Sequence, residues 1–235
     1  MMNFKKLQDV GRCRYINPYT DFGFRRFFGT EENKELLISF LNSIVVRRGD
    51  PIVEVSFPQK TSDEFPDSFF DVLCRRKSGD VFVAVMQNAP LGFTKDLSVF
   101  HLFTGTTTFS KTYSGKYPLN ETCLVALTNQ TLSQEGTSER YLHEVMLMDV
   151  KNYHVFYKRL LLVYLEMPKF EKHAEELRTM GDKWLFALKN LPFFREVPKV
   201  LNGNVFEQLF EQADLTRFTD EERLAYQRSL SSLGR

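Results

Sequence analysis

Cysteine is scarce in this chain and scattered. Cys13, Cys74 and Cys123 are widely separated and no two stand at CxxC spacing, so neither a zinc site nor a disulfide framework is expected. Cys74 and Cys123 fall inside apolar, strand-like runs, where a free thiol acts as a small hydrophobe. A surplus of one charge is lacking too: 31 Lys and Arg stand against 30 Asp and Glu, a formal net charge of +1. That balance gives no overall pull toward nucleic acid, so any DNA contact has to come from local patches. There is no glycine-rich phosphate loop, dinucleotide fingerprint or nucleophile elbow. His101, His143, His154 and His173 share no spacing and are expected as surface or satisfied histidines. No apolar run approaches membrane-spanning length, and no N-terminal stretch has the regions of a signal peptide. A cytoplasmic location without a membrane partner is therefore expected, and the sequons at Asn120 and Asn129 carry no information.

Phenylalanine is what the chain has in abundance, 23 of 235 residues, so an aromatic-rich core is expected. The length suits one large domain, or a domain with an appendage. Leu36, Leu37, Phe40, Leu41 and Ile44 recur at the spacing of one buried helical face and predict a helix over 31–45, with Gly29 as the break and Thr30 as the N-cap. Alternation predicts a strand over 52–57, ended by Pro58. An acidic loop, 63–67, leads into a hairpin, and the segment 88–90 ends it. A helix over 97–113 is expected despite its threonines, followed by strands over 122–127, 145–148 and 160–167, with a helix or extended segment through Tyr157 between the last two. From 171 onward the pattern is helical: 171–191, 205–210, and a last helix opened by the capping box Thr219-x-x-Glu222. Trp184 and Phe186 are expected to dock the first tail helix onto the core. The pattern is a mixed α/β (α+β) chain with a sheet core over 15–170 and a helical appendage over 171–235.

The hairpin, residues 68–87, reads SFFDVLCRRKSGDVFVAVMQ. Asp71 interrupts an apolar strand where β-propensity places nothing charged, and a buried acid needs a partner or a metal ion. Asp71 can be a metal ligand or an acid paired with a cation or a backbone N–H. A metal site would want a second carboxylate on the neighbouring strand, where Val85 stands, two residues before Gln87.

This hairpin resembles the core of the PD-(D/E)XK nuclease superfamily, in particular the Rpn-type recombination-promoting nucleases described as transposases. NPYTDFGFRRFFGTEENKELLISFLNSI (17–44) is similar to the opening loop and first helix of that family. YLEMPKF (164–170) resembles its closing strand, and DKWLFALKNL (182–191) and DEERLAYQRSL (220–230) resemble its helical tail. The resemblance implies a restriction-endonuclease-like core, a central mixed sheet flanked by helices with a C-terminal helical appendage. It also implies Mg²⁺- or Mn²⁺-dependent cleavage of DNA phosphodiesters, connected with DNA recombination and mobile elements. Carried over residue by residue, Asp71 takes the place of the family's Asp, Val85 that of its Glu, and Gln87 that of the water-orienting Lys or Gln. Valine cannot bind a metal, so catalysis is expected to be impaired or lost; the alternative is a non-catalytic DNA- or protein-binding module that keeps the fold.

Side chains alternate across a strand, so Asp71, Val85 and Gln87 share a face only if the turn has odd length; a two-residue turn at Ser78–Gly79 would set Met86 beside Asp71. The resemblance implies an odd turn, such as one with Gly79 in a bulge, which restores the family arrangement. Asp96, Asp63, Glu64 and Asp67 are candidates to replace the missing carboxylate, Asp96 being more simply a helix-start acid. Asp21 is either an accessory ligand or a turn or cap residue. Glu166 is expected as a strand-end acid held by Lys169 or a backbone N–H. For DNA, Arg25, Arg26, Arg75 and Arg76 are the candidate contacts, with Arg47, Arg48 and Lys77 in the same basic clusters; solvated turn and helix residues are the simpler account of these runs. A homo-oligomer is compatible with the sequence.

Overall fold

A computed structural model describes residues 13–45, 50–57, 69–89, 99, 121–132 and 139–233. The acidic loop expected over 63–67 and the helix expected over 97–113 lie outside the described residues. The elements are α1 (Asp21–Phe28), α2 (Lys34–Ile44), β1 (Ile52–Ser56), β2 (Phe69–Arg76), β3 (Val81–Ala89), β4 (Glu121–Thr128), β5 (Leu142–Met148), β6 (Val155–Glu166), α3 (Met180–Asn190), α4 (Asn204–Ala213) and α5 (Asp220–Ser232). The strands form one mixed sheet in the order β1-β2-β3-β4-β6-β5. The β1–β2, β2–β3 and β5–β6 pairs are antiparallel, while β3–β4 and β4–β6 are parallel. Strand β4, ETCLVALT, is covered on both faces, which is why it reads as an unbroken apolar run and not as an alternating one.

One face of the sheet presents Val72, Cys74, Phe82, Ala84, Met86, Cys123, Val125 and Leu127 to the helices, in a single cluster with Phe24, Phe28, Phe40 and Trp184. The other face carries a smaller cluster of Val83, Leu124, Ala126, Leu160, Leu162 and Tyr164. Helix α3 enters through Trp184, fully buried, with its ring 5.7 Å from that of Phe40 and 5.4 Å from that of Phe206, and its indole N–H donates to Ser39 Oγ at 3.0 Å. Phe186 lies at the margin of the same cluster, 5.8 Å from Phe194.

The two ends of the chain are tied together. Tyr15 bridges Asp214, and the Ile16 N–H donates to the Ala213 carbonyl at 3.0 Å. The Asn17 N–H donates to the Tyr226 hydroxyl at 2.7 Å. Arg26 donates to the Gln212 carbonyl at 2.7 Å and to Glu222 Oε1 at 2.6 Å, and its guanidinium lies 4.3 Å over the Phe218 ring. Glu222 belongs to the capping box with Thr219 that the sequence predicted, so one carboxylate opens α5 and anchors α1 to it.

Four expectations need correction. The helix over 31–45 begins as a 3-10 turn at Glu31–Asn33, Thr30 makes no side-chain cap bond there, and a separate helix, α1, precedes it, capped by the Thr20 hydroxyl accepting from Gly23 N–H. Strand β3 runs through Asn88 to Ala89, because the buried Asn88 amide finds partners and the strand has no need to break. Strand β6 starts at Val155, well before 160, since its first residues pair with β5. The helix over 171–191 is α-helical only in Met180–Asn190. Asp182 sets that start: buried, it accepts from the N–H groups of Arg178 and Thr179 at 3.0 and 3.1 Å and from Lys172 Nζ at 2.6 Å, and the chain before it has only a 3-10 turn at Ala174–Glu176.

Candidate functional site

The turn of the β2–β3 hairpin is Lys77-Ser78-Gly79. The Arg76 N–H donates to the Asp80 carbonyl at 2.8 Å, and the Gly79 N–H to the Arg76 carbonyl at 3.0 Å, with Gly79 at φ +93°, where an L side chain would be strained. Ser78 is held from outside by Asp50, which accepts from its N–H and its hydroxyl, both at 2.9 Å. Three residues make an odd turn, and the register follows: Asp71 pairs with Val85, Phe69 with Gln87, and Phe70 with Met86. Alternation then puts Asp71 and positions 83, 85 and 87 on one face, while Val72 and Met86 enter the helix-covered core on the other. The arrangement expected from the odd turn is the one observed.

Asp71 is part-buried, and burial alone pushes its carboxyl up to about 6; no hydrogen bond or ion pair from a described residue reaches it. Its charge is therefore a cost to the fold. An acid with a raised pKa stabilises most below its unfolded value, so the contribution is complete below pH 4 and is lost as pH rises through 6. Asp71→Asn is expected to remove that dependence and to raise stability at pH 7.5 by roughly 1–3 kcal/mol, while leaving it little changed near pH 4. Thermal unfolding at the two pH values in the presence of a chelator checks this; equal pH dependence in both proteins would mean that the carboxylate is solvated.

Asp21 is the first residue of α1 and lies 3.4 Å from Asn88 Nδ2; the same amide donates to the Tyr19 carbonyl at 2.8 Å. Asn88 is thus a positioning residue that the sequence did not single out, being read there as a strand break. It seats Asp21 against the end of β3 one residue beyond Gln87, on the helix-covered side, whereas Asp71 occupies the opposite face. Gly23 makes this possible, since a Cβ there would collide with the Asn17 carbonyl. Asp96, Asp63, Glu64 and Asp67 lie outside the described residues.

The basic candidates separate by environment. Arg76 is 4% exposed, in a two-point pair with Glu121 at 2.9 and 3.1 Å, and stacks 4.1 Å over Phe82. Arg26 is spent on Glu222 and Gln212, as described. Arg75 is at the surface, 2.9 Å from Glu54, and half-buried Arg25 lies 5.6 Å over the Phe70 ring, beside Asp71 in sequence. Arg47 and Arg48 lie outside the described residues. Glu166, at the end of β6, meets Lys169 and His143 at 2.8 Å each and accepts from the Leu132 N–H at 3.2 Å, so both partners expected for it are present and a histidine joins them. Cys74 is buried and its thiol is pushed up to about 12, chiefly by desolvation, which leaves it inert as a nucleophile.

Hard cations need several oxygen ligands, and among the described residues no group of three or more His, Cys, Asp or Glu could hold a metal ion. Asp71 supplies a single fixed carboxylate, and valine at the opposite position has no lone pair to offer. Among the described residues the donors do not make up a complete divalent-cation site. No helix among the described residues is long and apolar enough to cross a membrane. A family model described as PD-(D/E)XK nuclease family transposase matches residues 18–233 of the chain. No curated protein and no solved structure matches it.

Proposed function

We propose, from the premise that this chain belongs to the PD-(D/E)XK nuclease family transposases, that it keeps the DNA-directed scaffold of the family while its phosphodiester cleavage is impaired or lost. Nucleases of this superfamily are generally divalent-metal dependent. The observation that carries the reading is the pairing of Asp71 with Val85: the register is the one in which a carboxylate at 85 would stand directly across from Asp71, and the residue there is valine. Losing a ligand of that kind typically costs several orders of magnitude in rate. Asp71, Gln87 and the position of Val85 make up the degenerate centre; Asp21, beside Asn88 on the other face of the sheet, is not counted with them.

DNA contact in this reading is local and weak, through the exposed Arg75 on the hairpin, whose pair with Glu54 is at the surface, whereas Arg26 and Arg76 are held in internal ion pairs. Residues 15–170 form the nuclease-like domain. The helical appendage, 171–235, serves it by clamping the segment that carries Asp21, through Tyr226, Glu222 and Trp184. A cytoplasmic location and the family's connection with DNA recombination belong to this reading.

Plasmid nicking and gel-shift assays in Mg²⁺ or Mn²⁺ test the reading. Wild type is expected to shift DNA in a salt-sensitive way without nicking it, and Arg75→Ala to weaken the shift. Nicking by wild type that vanishes in Asp71→Ala would mean that a relocated acid completes the centre, and the impaired reading would fall.

A further inference from the structure

We infer that the β5–β6 hairpin is the contact surface for a second copy of this chain, and that the protein is a two-fold symmetric dimer. Among the described residues β5 is an edge strand. The pairing of β4 with β6 starts at Leu160, whereas β6 starts at Val155, so the first residues of β6 and the end of β5 project beyond β4 as a two-stranded ribbon. Such a ribbon is marginal in water by itself. This one is also apolar: Val145–Met148 are each more than two-fifths exposed, and Val150, Tyr153 and Phe156 are 82%, 76% and 82% exposed.

The tip is built, not loose. Asp149 Oδ1 accepts from the N–H groups of Lys151 and Asn152 at 2.9 and 3.1 Å, and the Tyr153 N–H returns to the Asp149 carbonyl at 3.0 Å. These bonds hold Tyr153 at φ +58°, a left-handed conformation that an aromatic residue adopts at a cost. Strain is here retained at the residue that displays a ring to solvent.

Area and charge point to a second copy as the occupant. Seven exposed apolar residues, Val145–Met148, Val150, Tyr153 and Phe156, are gathered on this one ribbon, and a stable interface takes ~800 Å² from each partner. The surrounding charges are of mixed sign, with Glu144 and Asp149 against Lys151, Lys158 and Arg159, all exposed. A patch that meets its own copy about a two-fold axis must be self-complementary, and a one-signed patch would repel itself. A phosphate backbone, in contrast, would want cations without the apolar surface. Register shifts at Met146–Met148 interrupt the ladder along the outer half of β5, so the contact is made by packed side chains more than by an extended sheet.

Sedimentation equilibrium of the full chain over a concentration series is the test, with Leu147→Lys/Phe156→Lys as the variant. Wild type is expected to sediment as a dimer in the micromolar range, and the variant, whose changes lie outside both core clusters, to weaken association about 100-fold or more. Hydrogen exchange of wild type at low and high concentration supplies a readout that needs no variant: protection of residues 142–156 is expected to rise with concentration. A monomeric wild type at high concentration, a dimer indifferent to both substitutions, or a ribbon whose exchange ignores concentration would each overturn the inference.

Discussion

Val85→Glu is expected to give this protein divalent-metal-dependent DNA nicking at least about 10³-fold above wild type, the scale of restoring one electrostatic group at a reacting phosphate. The reason lies in the register. Residues directly opposite on an antiparallel pair have their Cβ atoms about 5 Å apart, so a carboxylate at 85 would stand beside that of Asp71 on the same face. Two such groups without a cation repel each other. The variant is therefore expected to be less stable than wild type in chelator and to regain thermal stability when Mg²⁺ or Mn²⁺ is added, whereas wild type responds little to either ion. Melting curves with and without metal read this independently of cleavage. Asp71→Ala in the Val85→Glu background should abolish both effects. A variant that binds metal but cannot cut would move the defect from position 85 to Gln87. One that does neither would remove the hairpin from candidacy as a reaction centre.

Trp184→Ala is expected to cost about 3–5 kcal/mol, a large part of the 5–15 kcal/mol that an ordinary domain possesses. The indole is fully buried among Phe28, Phe40 and Phe206 and donates to Ser39, so truncation leaves a cavity and an unmet hydroxyl at once. A drop in melting temperature of roughly 6–20 °C is the readout. Phe156→Ser, on the exposed ribbon, is expected to move the melting temperature of dilute protein little, so that burial and not aromatic character accounts for the loss. A small loss in Trp184→Ala would mean that α3 does not share the core of α1 and α2.

Parts of this architecture were legible in the sequence for identifiable reasons. The run of α2 declares its buried face because five apolar residues keep helical spacing, and Thr219-x-x-Glu222 declares a helix start because the cap is local chemistry. The odd turn at Lys77-Ser78-Gly79 was readable through the family resemblance, which needs Asp71 and positions 85 and 87 on one face; the glycine alone permits a two-residue turn as well. Helix α1 was not readable from periodicity. Its eight residues, DFGFRRFF, contain a glycine and owe their stability to packing and to Arg26 reaching α5, a partner 196 residues away. Nor was the continuation of β3 through Asn88, which depends on a carbonyl at Tyr19 that only the folded chain brings near. The late start of α3 follows from Lys172 and Asp182 closing on each other and from the Arg178 and Thr179 N–H groups meeting Asp182, contacts that helical periodicity alone does not show.

The sequence by itself supplied the candidates for the centre: an acid in an apolar strand and, through the family resemblance, a valine where that family has a carboxylate and a glutamine two residues on. It did so because strand alternation and residue chemistry are local properties. Only the tertiary structure decided which arginines remain at the surface, since Arg26 and Arg76 are removed by Glu222 and Glu121 from distant parts of the chain. It alone seated Asp21 against the end of β3 and left the β5–β6 ribbon uncovered. Ion pairing and burial depend on what the whole fold brings within a few ångströms, and no window of sequence contains that information.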